Sequence, residues 1–416
     1  MKSELLNTLI ERGFVHQSTN LAGLDEFARH NKVSAYIGFD LTANSLHVGS
    51  LIQIMMLRWL HRLGHNPIVL FGEATTRIGD PTGKTTARPI LTDDEITKNR
   101  EGIVMVIDRL VGSLRPHLVQ VTNGEWFSQS GPSYMDFLAD YGRHFTINRM
   151  LTFDSVKKRL EEQDSMSFLE FNYMLMQAVD FLKLHQHRTH RCMLQIGGSD
   201  QWGNVVNGVE LVRRIEHTEV YGLTTPLMTN TAGLKMGKTA DGAIWLDPNK
   251  TSAFEFWQFW RNIEDAKVDE FLRLFTELPI DEIEHIERCG DINAAKKILA
   301  TEVTSMVHGK ATADHAALLA AGGAISSSSV SAAPVHVIQA IRFEEGITLA
   351  QILLDAGLVS SKNEASKLAL NNGVKLNGNA ITDVRQELPR KAFEDNNFML
   401  SVGKKKMVSV RIVDQK

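Results

Sequence analysis

A chain of 416 residues, 43% apolar and 23% charged, has the composition of an ordinary globular protein and exceeds what one hydrophobic core usually organises, so two or three domains are expected. No apolar run approaches the ~18 residues of a membrane helix, and MKSELLNTLIERG has neither a secretion-signal core nor acid-poor transit-peptide character; a cytoplasmic protein without a membrane partner is expected. The net charge of −4 is uneven: His336 to Lys416 carries twelve Lys and Arg against nine Asp and Glu, and the remainder thirty-three against forty, a basic tail on an acidic body that points to nucleic acid.

Strand and helix patterns alternate through the first half. AYIGF (Ala35–Phe39) reads as a strand, and a helix follows from about Gly49 to Leu63, with Gly64 placed to end it in a left-handed conformation. PIVLFG (Pro67–Gly72), a helix over about Asp93 to Val111, HLVQV (His117–Val121) and CMLQIGG (Cys192–Gly198) continue the series, interrupted by a helical insertion at about 133–184. The pattern predicts a Rossmann-like parallel sheet over 1–225, covered by helices on both faces, with ligands at the carboxyl ends of its strands. A loop region at 226–247 and a small α-helical domain at 248–321 follow. AAGGAISSSSVSAAP lacks the apolar area to order itself, so 322–340 is read as a linker. Residues 341–416 read as an α+β domain: two short helices, an Asn377–Gly378 turn, and two strands joined at Gly403–Lys406. Lys404, Lys405 and Lys406 then sit at a hairpin tip, suited to phosphate contact.

Several stretches carry candidate chemistry. GDPTGKTTARP fails as a phosphate-binding Walker loop because only three residues separate Gly79 from Gly83. LHQHRTHRC offers three histidines and Cys192 but no established zinc spacing, Cys289 is remote, and no protein-bound metal is expected. In NYMLMQAVDF, Tyr173, Gln177 and Asp180 fall at i, i+4 and i+7, a polar stripe on an apolar helix that faces either water or a polar ligand. GGSDQWGN (Gly197–Asn204) follows a strand and opens a helix, with Asp200 able to accept from ribose hydroxyls and Gln201 able to donate to an oxyanion. LKMGKTADG places Lys235, Lys238 and Thr239 in a glycine-flanked loop suited to gripping a polyphosphate. HVGS at His47–Ser50 sets an imidazole and a glycine where a strand gives way to a helix.

Together these pieces resemble the bacterial-type tyrosyl-tRNA synthetases, a family of class I aminoacyl-tRNA synthetases. HVGS is similar to that family's HIGH signature and KMGKT to its KMSKS loop, with YIGFD, FGEATTRIGDPTGK, QAVDF and GGSDQWGN around and between them in family order. The segment beyond the linker resembles the RNA-binding domain named after ribosomal protein S-four. The resemblance implies activation of L-tyrosine by ATP, with Mg²⁺ accompanying ATP as substrate, then transfer to the 3′ end of tRNA(Tyr) by a homodimer; no DNA partner is implied. By the same resemblance His47 and Gly49 sit against ATP, Asp200 holds ribose, and Gln201 lies near the reacting carboxylate. Gly38, Asp40, Gly198 and Met236 complete the ATP side, and Lys235, Lys238 and Thr239 clamp the pyrophosphate. Tyr173, Gln177 and Asp80 receive the α-ammonium group, Asp180 with Tyr36 the phenolic hydroxyl, and Asn123 and Trp126 line the pocket. Lys84 and Arg88 match basic positions near the tRNA acceptor end. Ser50 stands where the family has a second histidine, Leu41 where it has proline, and Ile37 where many members have cysteine. The alternatives weighed are an RNA-binding paralogue without activation and a tryptophan-specific relative, which the Asp180 and Tyr36 pair disfavours.

Overall fold

The computed structural model describes residues 1–82, 90–112, 118–128, 131–239, 242–321, 332–390, 393, 396–403 and 406–414. It divides into two compact units: Met1–Leu246 with Glu270–Ile280, and Asp247–Asp269 with Asp281–Lys416.

The first unit is built on six strands: β1 (Gln17–Ser18), β2 (Ser34–Asp40), β3 (Asn66–Gly72), β4 (Val119–Thr122), β5 (Leu194–Gly198) and β6 (Tyr221–Thr225). Their order is β1-β6-β5-β2-β3-β4, parallel throughout except for β1. Burial on both faces explains why β3 reads as an unbroken apolar run. The expected parallel sheet is present; β1 and β6 were not anticipated, since a two-residue strand and a threonine-rich one carry little periodic signal.

The helix Leu51–Arg62 ends as expected at Gly64, whose φ is 78°. There the His65 N–H bonds to the Leu60 carbonyl and the Gly64 N–H to that of His61, at 2.8 and 2.9 Å, closing a Schellman turn. The helix Asp93–Val111 begins in a Thr92–Glu95 capping box. Across the sheet face, the helix Phe168–Gln186 packs Leu175, Ala178, Val179 and Leu182 into a core with Ile68 and Leu70.

Glu270–Ile280 belongs to this first unit, although 248–321 reads as one helical domain in sequence. Polar contacts over long sequence separations account for the difference. The buried Arg12 guanidinium donates to the carbonyls of Arg273, Thr276 and Leu278 and lies 4.0 Å over the Trp59 ring. Glu277 accepts from Arg58 and Arg62 at 2.6 and 2.8 Å.

In the second unit, the helices Ala253–Arg261, Ile292–His308 and Lys310–Ala320 bury Trp257, Trp260, Leu299 and Val303, and Trp257 Nε1 donates to Thr301 Oγ1 at 3.1 Å. Two hairpin strands in the first unit, β7 (Lys238–Thr239) and β8 (Gly242–Ala243), precede it in the chain. The C-terminal sheet contains β9 (Val335–Gln339), β10 (Val374–Leu376), β11 (Asn379–Ala380), β12 (Asn397–Val402) and β13 (Lys406–Val413), in the order β11-β10-β12-β13-β9. Asn377 and Gly378 turn at φ of 49° and 85°, as an Asn-Gly hairpin requires. The linker boundary at 340 needs correction: β9 pairs in parallel with β13, and Ala332 and Ala333 are buried. Small residues conceal this in the sequence because their burial depends on a partner strand seventy residues away. Residues 322–331 of the expected linker lie outside the described ones.

Among the described residues, no helix is long and apolar enough to cross a membrane.

Candidate active site

β2 lies between β3 and β5, so the strand order reverses there, and a cleft of about 790 Å³ opens at the carboxyl ends of these strands. The helix Phe168–Gln186 closes one side. A capping box between Ser167 and Glu170 fixes its start, and the buried guanidinium of Arg159 holds Glu170 at 2.7 Å. The helical spacing turns Tyr173, Gln177 and Asp180 together into the cleft, so this stripe faces a cavity.

Asp180 lies at the most enclosed end, with 3% of its surface exposed. Trp126 Nε1 donates to its Oδ1 at 2.8 Å and Asn123 Nδ2 to its Oδ2 at 3.2 Å. Burial pushes its carboxyl up to about 7, against the pull of those two hydrogen bonds. Tyr36 lines the same end, and its buried hydroxyl has no hydrogen-bond partner among the described residues. Burial and the nearby Asp180 charge hold that phenol protonated, well above its ordinary range. A protonated donor without a partner beside a carboxylate with spare lone pairs is an arrangement for binding a hydroxyl.

Toward the mouth, Tyr173 donates to Asp40 Oδ2 at 3.0 Å, and Thr75 Oγ1 donates to Asp40 Oδ1 at 2.9 Å. Tyr173, Gln177 and Asp80, assigned together to the α-ammonium group by resemblance, all line this cleft. Asp80 and Gln177 also belong to an interlocked group: Gln201 Nε2 donates to Asp80 Oδ2 at 2.6 Å, and Asn204 Nδ2 donates to Gln201 Oε1 and Gln177 Oε1 at 3.0 and 2.9 Å. Gly38 borders the cleft, and a Cβ there would meet nothing within 4 Å, so its missing side chain leaves cleft space rather than protein space.

The HVGS and KMGKT stretches lie side by side. Val48 N–H bonds to the Ile244 carbonyl and Leu246 N–H to that of Leu46, at 2.9 and 2.8 Å, and the Trp245 ring stands near edge-on to His47 at 6.5 Å. His47 Nδ1 accepts the Gly49 N–H at 3.0 Å, which in the neutral imidazole places the proton on Nε2. A Cβ on Gly49 would lie 2.6 Å from His47 Cε1, so this glycine makes room for the imidazole. Ser50 makes no capping hydrogen bond to the following helix. Gly237, at φ 113°, passes so close that a Cβ would stand 3.2 Å from His47 Nδ1. Met236 is tied through its backbone N–H to the Met228 carbonyl at 2.8 Å. Lys235 Nζ donates to Asp200 Oδ2 at 2.7 Å, an ion pair not foreseen. Gly198 lets that carboxylate lie against the end of β5, since a Cβ would be 2.8 Å from Asp200 Oδ1.

The side chains of Lys238 and Thr239, and residues Lys84, Arg88, Lys404 and Lys405, lie outside the described residues. Lys406 is exposed but stands in β13 opposite Val402, with Nζ 3.4 Å from the Leu358 carbonyl, rather than at the hairpin tip. In LHQHRTHRC, His185 bonds the Cys192 carbonyl at 2.8 Å and His187 stacks on His190 at 5.2 Å; no cluster able to hold a metal occurs among the described residues. Thr75, Asn204 and Trp245 were not singled out from the sequence. Only the position of Thr75, just past the carboxyl end of β3, would have marked it.

Residues 28–321 match the family model for class I tRNA synthetases (W and Y), and residues 331–410 match that for the SYY-like C-terminal domain of tyrosine--tRNA ligase. The chain is 49% identical to a tyrosine--tRNA ligase of Rhodospirillum rubrum, covering 99% of each, and 51% identical to one from a Caulobacter species, covering 99% of this chain and 98% of that one. Among solved structures it is similar to a C-terminally truncated mitochondrial tyrosyl-tRNA synthetase of Aspergillus nidulans, with a TM-score of 0.68 and 33% identity over 76% of this chain and 93% of that one. The cleft thus sits in a sequence that follows this family from end to end, and the chain belongs to the tyrosine--tRNA ligases of the class I aminoacyl-tRNA synthetases.

Proposed function

We propose that the cleft activates L-tyrosine with ATP to tyrosyl-adenylate and pyrophosphate, and then passes the tyrosyl group to the 3′-terminal adenosine of tRNA(Tyr). The observation that carries this reading is the unpartnered Tyr36 hydroxyl beside Asp180 at the enclosed end. A substrate phenol donates to Asp180 and accepts from Tyr36. Phenylalanine leaves the Tyr36 hydroxyl without a partner and forfeits the hydrogen bond to Asp180, at about 1–3 kcal/mol each, which favours tyrosine by on the order of 100-fold or more.

The substrate carboxylate is already a nucleophile toward the α-phosphate, so the reaction needs positioning and charge stabilisation rather than a general base. Tyr173, Gln177 and Asp80 take the α-ammonium end, while Gln201 lies near the reacting carboxylate. Asp200 takes the ribose after exchanging Lys235 for it. His47 Nε2–H faces the phosphates, and Lys235, Lys238 and Thr239 grip the leaving pyrophosphate, with Mg²⁺ entering as part of the ATP substrate. Gly38, Asp40, Gly49, Gly198 and Met236 form the wall against which the nucleotide lies.

In this reading, 1–225 holds the chemistry, 226–247 the phosphate loop, 248–321 the anticodon side, and the C-terminal domain binds RNA with Lys404, Lys405 and Lys406. Lys84 and Arg88 serve the acceptor end. The enzyme works in the cytoplasm as a homodimer. Exposed Met135, Ile147, Leu160 and Phe168 on the helical insertion fit coverage by a second copy. The test is ATP–pyrophosphate exchange with tyrosine, phenylalanine and tryptophan: strong exchange with tyrosine alone is expected, and no tyrosine-dependent exchange refutes the reading.

A further inference from the structure

Asp180 and Asp40, two of the carboxylates lining the cleft, are joined by an unbroken set of side-chain hydrogen bonds. Asn123 Oδ1 accepts the Ala74 N–H at 2.8 Å, which fixes the orientation of its amide. Its Nδ2 therefore has both protons to donate, one to Asp180 Oδ2 at 3.2 Å and one to Thr75 Oγ1 at 3.1 Å. The Thr75 hydroxyl, having accepted from Asn123, spends its single proton on Asp40 Oδ1 at 2.9 Å. Asp40 also accepts from Tyr173, and Asp180 from Trp126. Asn123 is fully buried and Thr75 is 2% exposed, so solvent does not replace a broken link. Gly72 makes the crossing possible: a Cβ there would lie 2.5 Å from Thr75 Oγ1 and would collide with Asp40 Oδ1.

We propose that Thr75 is a positioning residue that couples the enclosed end of the cleft to its mouth, so that the hydrogen bonding of Asp180 and that of Asp40 respond as one unit. Resting on the tyrosine reading, this means that a phenol seated at Asp180 also sets the carboxylate near the reacting end, and selection against phenylalanine registers in the activation step as well as in binding. The side-chain hydrogen bonds through Asn123 and Thr75 form a continuous route from Asp180 to Asp40. Cutting at Thr75 breaks that route.

The experiment is a double-mutant cycle with Trp126→Phe, which removes a donor to Asp180, and Tyr173→Phe, which removes a donor to Asp40. It is run in the wild-type, Thr75→Val and Thr75→Ser backgrounds, with kcat/KM for tyrosine in pyrophosphate exchange as readout. The combined loss should depart from the product of the single losses by about fivefold or more in wild type and Thr75→Ser, and match it within about twofold in Thr75→Val. Multiplicative losses in an active wild type, or coupling that survives Thr75→Val, overturn the relay alone. Absence of exchange in wild type overturns the functional reading. The relay is then decided by the same cycle read from thermal midpoints of the ligand-free proteins, where a non-additive shift in wild type that vanishes in Thr75→Val is expected and additivity throughout refutes it.

Discussion

The ammonium of Lys235 lies 2.7 Å from the carboxylate of Asp200, so two groups assigned to different parts of one nucleotide neutralise each other in the ligand-free protein. With the Lys235 side chain 56% exposed and that of Asp200 27% exposed, the pair is open to water and worth at most about 1 kcal/mol. On the proposed reading, ATP displaces it at small cost.

Lys235→Ala should shift the thermal midpoint by no more than about 2 °C, since little stability rests on an open pair. Pyrophosphate exchange should slow by roughly 100-fold, because the same ammonium meets charge on the departing phosphate. Calorimetry and exchange kinetics on one preparation check both; a midpoint loss above about 5 °C would assign Lys235 a structural role instead.

Asp180 makes stability depend on pH. Its carboxyl is raised by burial from 3.8 to about 7 in the folded chain, so between these values the folded state keeps a proton that the unfolded state has released. Its contribution is complete below about 3.8 and is lost as pH rises through 7. Urea midpoints of the ligand-free protein at pH 5 and 7.5 should show a decline that Asp180→Asn reduces, and an equal decline in both proteins contradicts this assignment.

Two glycines separate room for ligand from room for protein. Gly38→Ala places its methyl where no protein atom lies within 4 Å, so stability should hold or rise by up to about 1 kcal/mol while KM for ATP or tyrosine increases. Gly49→Ala drives its methyl into the His47 ring and should lower kcat by roughly tenfold or more. Equal behaviour of the two variants in denaturation and exchange assays counts against the distinction.

Removal of the C-terminal domain should preserve exchange and weaken tRNA charging, more so at higher salt, because phosphate contacts depend on ionic strength. The pairing of β9 with β13 sets the cut before Ala332; a chain ending at 340 would strand β9 without its partner. Charging by the shortened protein at the full-length rate in 200 mM salt argues against an RNA role for the domain.

Phe168 is 68% exposed at the start of the helix that carries Tyr173, Gln177 and Asp180. If a second copy covers it, Phe168→Asp should yield monomers in sedimentation at micromolar concentration, and an unchanged dimer would move the interface elsewhere.

The parallel sheet, the polar stripe of Tyr173, Gln177 and Asp180, the left-handed stop at Gly64 and the Asn377–Gly378 turn are all legible in the residue pattern. Each follows from spacing within a few residues and from backbone preferences that no distant neighbour overrides. Family motifs extended that reading to His47, Asp200 and Lys235. Only the tertiary structure decided which partners these groups take: Tyr173 with Asp40, Lys235 with Asp200, Thr75 between Asn123 and Asp40. The same holds for β9, whose place in the sheet depends on β13, and for Glu270–Ile280, which Arg12 draws into the first unit. The physical reason is that a buried polar group must find a partner wherever the fold supplies one, and sequence spacing carries no record of contacts made across a hundred residues.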